Sequence, residues 1–227
     1  MSNAVTTSAP AAPRPNRRLD AALAALRIGD PLVRNDGVAA AVSLGAVAVP
    51  ALISLLNEPA AARAQAMYAL SEIADARAQP AFVAALGDAD EFVRAHAASG
   101  LARIGDPQAL AACLHTIDDG ADAMHLDRTP AVDALGGMGL EAVPALLDLL
   151  MAASETTRLH AQRALESIMQ RRHGFVAGSG YASRRAQAAM RDEWRANGDY
   201  DHAGDGESRA AAQAAWRRWL KTVGERA

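Results

Sequence analysis

Small and apolar residues recur along this chain at intervals of three and four, the spacing of one helical face, in five copies each set on an arginine. The arginines are Arg34, Arg63, Arg94, Arg128 and Arg158, separated by 29, 31, 34 and 30 residues. Three positions after each stands only Gly37, Ala66, Ala97, Ala131 or Ala161. Seven after come Ala41, Leu70, Leu101, Leu135 and Leu165, and ten after come Leu44, Ile73, Ile104, Met138 and Ile168. Each copy therefore predicts a helix whose small residue admits a close neighbour and whose larger pair forms an apolar stripe. The period is that of a solenoid. Each unit is expected to continue past its arginine helix into a second helix, seen in the apolar runs AVAVPALISLL, AQPAFVAAL, DPQALAACLHTI and EAVPALLDLL, which gives a pair of helices per unit. Pro50, Pro80, Pro107 and Pro144 mark the starts of these second helices, where a fixed φ suits the first turn and a missing N–H costs little.

Both ends depart from this pattern. Residues 1–18 mix Ala, Pro, Ser and Thr without helical period and predict a disordered tail. A single amphipathic helix over 19–28 follows, with Leu23, Leu26 and Arg34 sixty residues before Val83, Leu86 and Arg94, as a half repeat capping the array would be. Beyond Ile168 the period breaks at RRHGFVAGSGYAS. SRRAQAAMRDEW (183–194) and SRAAAQAAWRRW (208–219) then resemble one another, with Trp194 over Trp219. The organisation expected is a tail over 1–18, a solenoid over 19–170 and a helical cap over 171–227, in which Trp194, Trp216 and Trp219 cover the open end.

Aromatic content of 4% makes the core aliphatic and argues for an all-α chain. Cys113 is the only cysteine, which excludes an intrachain disulfide and fits a reducing cytoplasm. No stretch has the length and apolarity of a membrane span. Twenty-two arginines against the single Lys221, with abundant alanine, match a GC-rich bacterial genome.

The paired helices resemble the HEAT repeat, specifically the short HEAT-like form of phycobilisome lyase subunits, over residues 19–170. VRAHAASGLARIGDPQAL, from Val93 to Leu110, is the closest copy. Gly37 and Ala41 weaken the first copy and Thr129-Pro130 restarts the fourth, so those two units are expected to be looser. The resemblance implies a right-handed α-α superhelix of about five helix pairs with N- and C-terminal helical caps. It also implies that second helices line the concave face, placing Ser54, Ala84, Ala112 and Asp148 in a central row. Ala51, Ala81, Ala109 and Ala145 flank it on one side, and Asn57, Gly87, His115 and Met151 on the other. Such a surface suits a protein or peptide partner. The same alanines also serve simply as helix formers on a solvated face.

Charge narrows the choice of partner. Residues 19–157 carry seven Arg against eighteen acids, a net of −11, whereas residues 158–227 carry thirteen basic residues against eight acids. An acidic body repels phosphate, so nucleic-acid binding of the kind implied by HEAT-like alkylpurine glycosylases is not expected there. Acidic body and basic ends also allow self-association.

Catalytic templates are missing. There is no P-loop, GxSxG or HExxH, and no histidine is followed by the Glu that HEAT-like di-iron hydroxylases use. Cys113 and His115 point about 200° apart on one helix and cannot act as a pair. Cys113 is expected in the core, and His96 and His160 on helix surfaces. The acidic loop holding Asp118, Asp119, Asp122, His125 and Asp127 lacks a complete ligand set and reads as solvated. GDYDHAGDGE lacks the ligands of a calcium loop at Ala203 and Ala210 and reads as a polar turn. No catalytic residue, cofactor or metal is assigned. The leading expectation is a non-enzymatic scaffold or adaptor, with a lyase-like accessory subunit as the alternative. The repeated arginines are expected to reach acids or carbonyls of the adjacent unit, such as Glu72 or Asp75.

Overall fold

The computed structural model describes residues 16–121 and 127–224. Helix α1 (Arg17–Leu26) is followed by four helix pairs: α2 (Pro31–Leu44) with α3 (Val49–Leu55), α4 (Ala60–Ile73) with α5 (Gln79–Ala85), α6 (Glu91–Arg103) with α7 (Ala109–His115), and α8 (Pro130–Met138) with α9 (Val143–Leu149). The fifth arginine helix, α10 (Glu155–Arg172), leads instead into an antiparallel ribbon, β1 (Phe175–Val176) with β2 (Gly180–Tyr181), and then α11 (Arg184–Ala196) and α12 (Gly206–Gly224). The fold is an all-α, HEAT-like solenoid. Residues 1–15 of the expected tail lie outside the described residues, and α1 already begins at Arg17, capped by the Asn16 side chain.

The period read from the arginines sets the packing. Ala66, Ala97, Ala131 and Ala161 are fully buried, and so are Leu70, Leu101, Leu135 and Leu165. Consecutive first helices pack on one another from α2 through α10, because a methyl group three residues after the arginine lets backbones approach. Ile73 and Ile104 were expected in the core beside Ile168, but both are only half-buried. Their helices stop there: Ala74 turns left-handed at φ 52° and Gly105 at φ 71°, which leaves the tenth position on a final turn at the rim. Ile168 lies well inside the longer α10 and is 2% exposed.

Two units expected to be loose have specific packing. A Cβ at Gly37 would lie 2.8 Å from the Ala25 Cβ, so this glycine permits the close approach of α1. In the fourth unit, the Thr129 hydroxyl caps α8 by accepting from the Val132 N–H and donates to the Ile117 carbonyl at 2.9 Å. Helix α8 starts at Pro130 as a result, and Arg128 stands outside it.

Most of the repeated arginines stitch unit boundaries. Arg94 donates to the carbonyls of Asp88 and Ala89 and to both oxygens of Asp119, while Arg158 donates to the carbonyls of Ala152 and Ala153 at the same offsets. Arg63 pairs with Asp88. Glu72 and Asp75 take Arg103 and Arg77 instead of a repeated arginine. Displaced from its helix, Arg128 pairs with Asp133 alone among the described residues.

At the C-terminal end the indole of Trp216 is fully buried, with the rings of Trp194 and Trp219 each 5.1 Å away. The Tyr200 hydroxyl donates to the Leu150 carbonyl at 2.5 Å, Gln213 to the Leu147 carbonyl at 2.6 Å, and Arg217 to Asp148. All three ties hold the cap to α9 and the turn after it. Asp201 and Asp205 accept from the backbone N–H groups of Ala203 and Ser208, so the GDYDHAGDGE segment is a capped turn.

Candidate functional site

The outward face of the first helices carries the chemistry. Five residues after the repeated arginines stand Tyr68, Ser99, Asp133 and Arg163, and nine after stand Glu72, Arg103, Gly137 and Ser167. These positions are one turn apart and point away from the buried positions three and seven. All eight line hollows on α4, α6, α8 and α10.

The first hollow, about 700 Å³, has an aromatic floor. The His96 ring lies 4.7 Å from Tyr68 and 4.3 Å from Phe92, between centroids, and its Nδ1 is 3.5 Å from the Ser71 hydroxyl. His96 is 9% exposed, not on a free helix surface, because α4 packs over it. Burial, aided by the charge of Arg103, pushes its pKa down to about 4. At neutral pH the ring is uncharged and the floor is apolar. Unfolding restores an ordinary imidazole near pH 6.5, so between about pH 6.5 and 4 the unfolded chain binds more protons than the folded one. Stability is therefore complete above pH 6.5 and falls through that window, by on the order of 2–3 kcal/mol. Thermal melts should show this slope in the native protein and a flatter one in His96→Gln. Equal slopes would contradict the burial of His96.

A middle hollow of about 510 Å³ shares Ser99, Arg103, Arg128 and Asp133 with the first. A third, about 850 Å³, shares Arg128, Arg171 and Ala177 with the middle one and is closed by the ribbon at Phe175–Gly178. The three form one trough, walled at its far end by the cap. Its arginines differ in availability. Arg163 is held by Asp127 and Glu166, both at 2.8 Å, and Arg103 by Glu72 at 2.7 Å. Arg128 shares Asp133, and the Arg171 side chain makes no hydrogen bond or ion pair among the described residues. Three arginines and one carboxylate thus surround the middle hollow.

The second-helix row is partly covered. Ser54, Ala84, Asn57, His115 and Met151 are exposed, but Ala112 is only 6% exposed. Helices α6 and α8 both pack on α7, and Ala112 is buried there, so the expectation that it faces solvent is corrected. Asp148 is exposed but bonded to Arg217 of the cap. In the acidic loop, Asp118 accepts from Thr157 at 2.5 Å and lies 2.7 Å from the fully buried His160. His160 is therefore an internal anchor between the loop and α10, not a surface residue. Asp119 holds Arg94 and Asp127 holds Arg163. Asp122 and His125 lie outside the described residues. The three described carboxylates tie helices together. Cys113 is buried as expected, and burial pushes its thiol up to about 12.

Residues 49–125, from α3 to the segment before α8, match the family model described as HEAT repeats. That stretch carries HEAT repeats. Among solved structures, this HEAT-like solenoid is similar to a chain of the CpcE–CpcF complex of phycocyanin lyase from Nostoc sp. PCC7120, with 21% identity, 88% of this chain and 98% of that chain covered, and a TM-score of 0.39. An engineered protein aligns with 19% identity over 90% of this chain and 96% of its own, with a TM-score of 0.40. No curated protein matches the chain. No helix among the described residues is long and apolar enough to cross a membrane.

Proposed function

We propose that this HEAT solenoid is a non-enzymatic scaffold that binds another protein in the trough across α4, α6, α8 and α10. The observation that carries this reading is the continuity of the three hollows, from the aromatic floor at Tyr68, Phe92 and His96 to the ribbon wall at Ala177. A long, open trough with an apolar end and charged sides matches a polypeptide better than an enclosed small molecule. Burial supports the non-enzymatic part: Cys113 is packed in the core as a thiol, and His96 is neutral between two aromatic rings. The exposed second-helix surface at Ser54, Asn57, Ala84, His115 and Met151 is the competing site.

Paired blocking variants separate the two surfaces. Gly137 has no neighbour within 4 Å of its Cβ position and Ala177 is exposed, so Gly137→Gln with Ala177→Trp fills the trough without disturbing the core. Asn57→Arg with Ala84→Arg alters the second-helix surface alone. Tagged full-length protein should retain its cellular partner in the second pair and lose it in the first. Retention by the trough variant and loss by the second-helix variant would move the site to the other layer.

A further inference from the structure

The scaffold reading leaves open which polypeptide chemistry the trough selects, and its side chains narrow this. At one end the faces and edges of Tyr68, Phe92 and His96 form the uncharged floor of a hollow of about 700 Å³, larger than one aromatic side chain needs, whose rim carries Glu72, Arg103, Arg128 and Asp133. Aromatic rings gain from packing edge-to-face on other rings, beyond the area they bury. Next to this floor lies the middle hollow, where Arg103, Arg128 and Arg171 outnumber the one carboxylate, Asp133. These arginines come from different elements: the end of α6, the residue before the α8 cap, and the last turn of α10. Their convergence requires the displacement of Arg128 by Thr129-Pro130. They are about half exposed or more, with 46% for Arg103 and 58% for Arg128, so their forks remain open to an added acceptor. Arg171 is exposed and has no partner among the described residues. Guanidinium groups bind carboxylates in bidentate pairs, and a site with unspent donors favours a ligand that brings acceptors. Beyond this point the trough is again balanced, because Arg163 is already held by two carboxylates.

Resting on that scaffold reading, we propose that the trough takes an acidic segment of a partner protein, seating an aromatic side chain on Tyr68, Phe92 and His96 and adjacent carboxylates against Arg103, Arg128 and Arg171. The order is fixed by the walls: the aromatic residue lies at the α4 end and the acids lie toward the ribbon. The α6 and α8 sides of the middle hollow belong to the acidic stretch over 19–157, and its α10 side, with Arg171, belongs to the basic stretch over 158–227. Reversing one charge there acts directly on the bound segment.

The test uses full-length protein and three fluorescein-labelled eight-residue peptides. One carries a Phe beside three Asp or Glu, the second has Lys in place of the acids, and the third has Ala in place of Phe. Fluorescence anisotropy should show saturable binding of the first. Both controls should bind about tenfold more weakly or less. Arg171→Glu should weaken the first peptide about tenfold, since it removes a cation and adds a repelling charge, whereas Asn57→Arg with Ala84→Arg should leave it unchanged. The Arg171 side chain is exposed and unpaired among the described residues, so this variant should keep the fold, which circular dichroism checks. The proposal is overturned if the first peptide fails to bind, if the basic peptide binds as well, or if Arg171→Glu has no effect. If those results occur while Gly137→Gln with Ala177→Trp still abolishes partner capture, the acidic-segment proposal fails and the scaffold reading stands. Loss of capture through the second-helix variant alone would sink both.

Discussion

Trp216→Ala lowers the free energy of unfolding by about 3–5 kcal/mol, the range for emptying a fully buried tryptophan site. Trp216 has no exposed surface, and its ring is the centre of the Trp194–Trp216–Trp219 stack that joins α11 to α12. Its loss opens a cavity between the cap helices and removes two aromatic contacts together. Neighbouring ties then weaken, because Gln213 and Arg217 hold the same helix to α9. Trp216→Phe should cost less. The indole N–H is buried without an acceptor among the described residues, so phenylalanine removes an unpaired donor along with some volume. Urea unfolding of the three proteins measures the order directly. A loss below about 1 kcal/mol for Trp216→Ala would mean that the cap is not docked.

The second large effect is at Leu101→Ala, expected to cost about 2–5 kcal/mol. Leu101 is fully buried on α6, which packs on α4, α5, α7 and α8. Repeat arrays gain stability from each interface with a neighbour, so a cavity in a central unit weakens the interfaces on both sides. The surroundings cannot easily collapse into it. A Cβ at the adjacent Gly100 would lie 2.5 Å from the Phe82 ring, showing how closely α5 already approaches α6. A thermal melt of Leu101→Ala indistinguishable from that of the native chain would contradict the register set on the arginines.

Much of this fold was legible because its determinants are local. Arginine, small residue and leucine at positions 0, 3 and 7 lie within two turns of one helix, so their spacing identified the first helices and their buried face. Prolines identified the starts of the second helices for the same reason. The trough was not found. Its residues occupy positions five and nine, where Tyr68, Ser99, Asp133 and Arg163 share no residue type, and a search for recurrence passes over a face whose identity changes at every unit. That variation on an otherwise regular helix was the available signal. Two further determinants are non-local: the ribbon at Phe175–Tyr181 returns over the faces of α8 and α10, and the Thr129 cap depends on the Ile117 carbonyl. His96 and His160 were misplaced because polarity suggests a surface, whereas stacking in one case and an Asp118 contact in the other allow burial. The acidic loop looked solvated because its partners, Thr157, His160, Arg163 and Arg94, lie far from it in sequence.

The central claim is that the first helices, not the second, present the binding surface. Site-specific photo-crosslinking in living cells tests it most directly, with benzoylphenylalanine placed at Ala177 on the trough wall or at Ala84 on the second-helix surface. Both sites are exposed and neither contributes to the buried core. The predicted result is a partner adduct from position 177 and none from position 84, with mass spectrometry locating the linkage in an acidic, aromatic-containing segment. An adduct formed from position 84 alone would contradict the account.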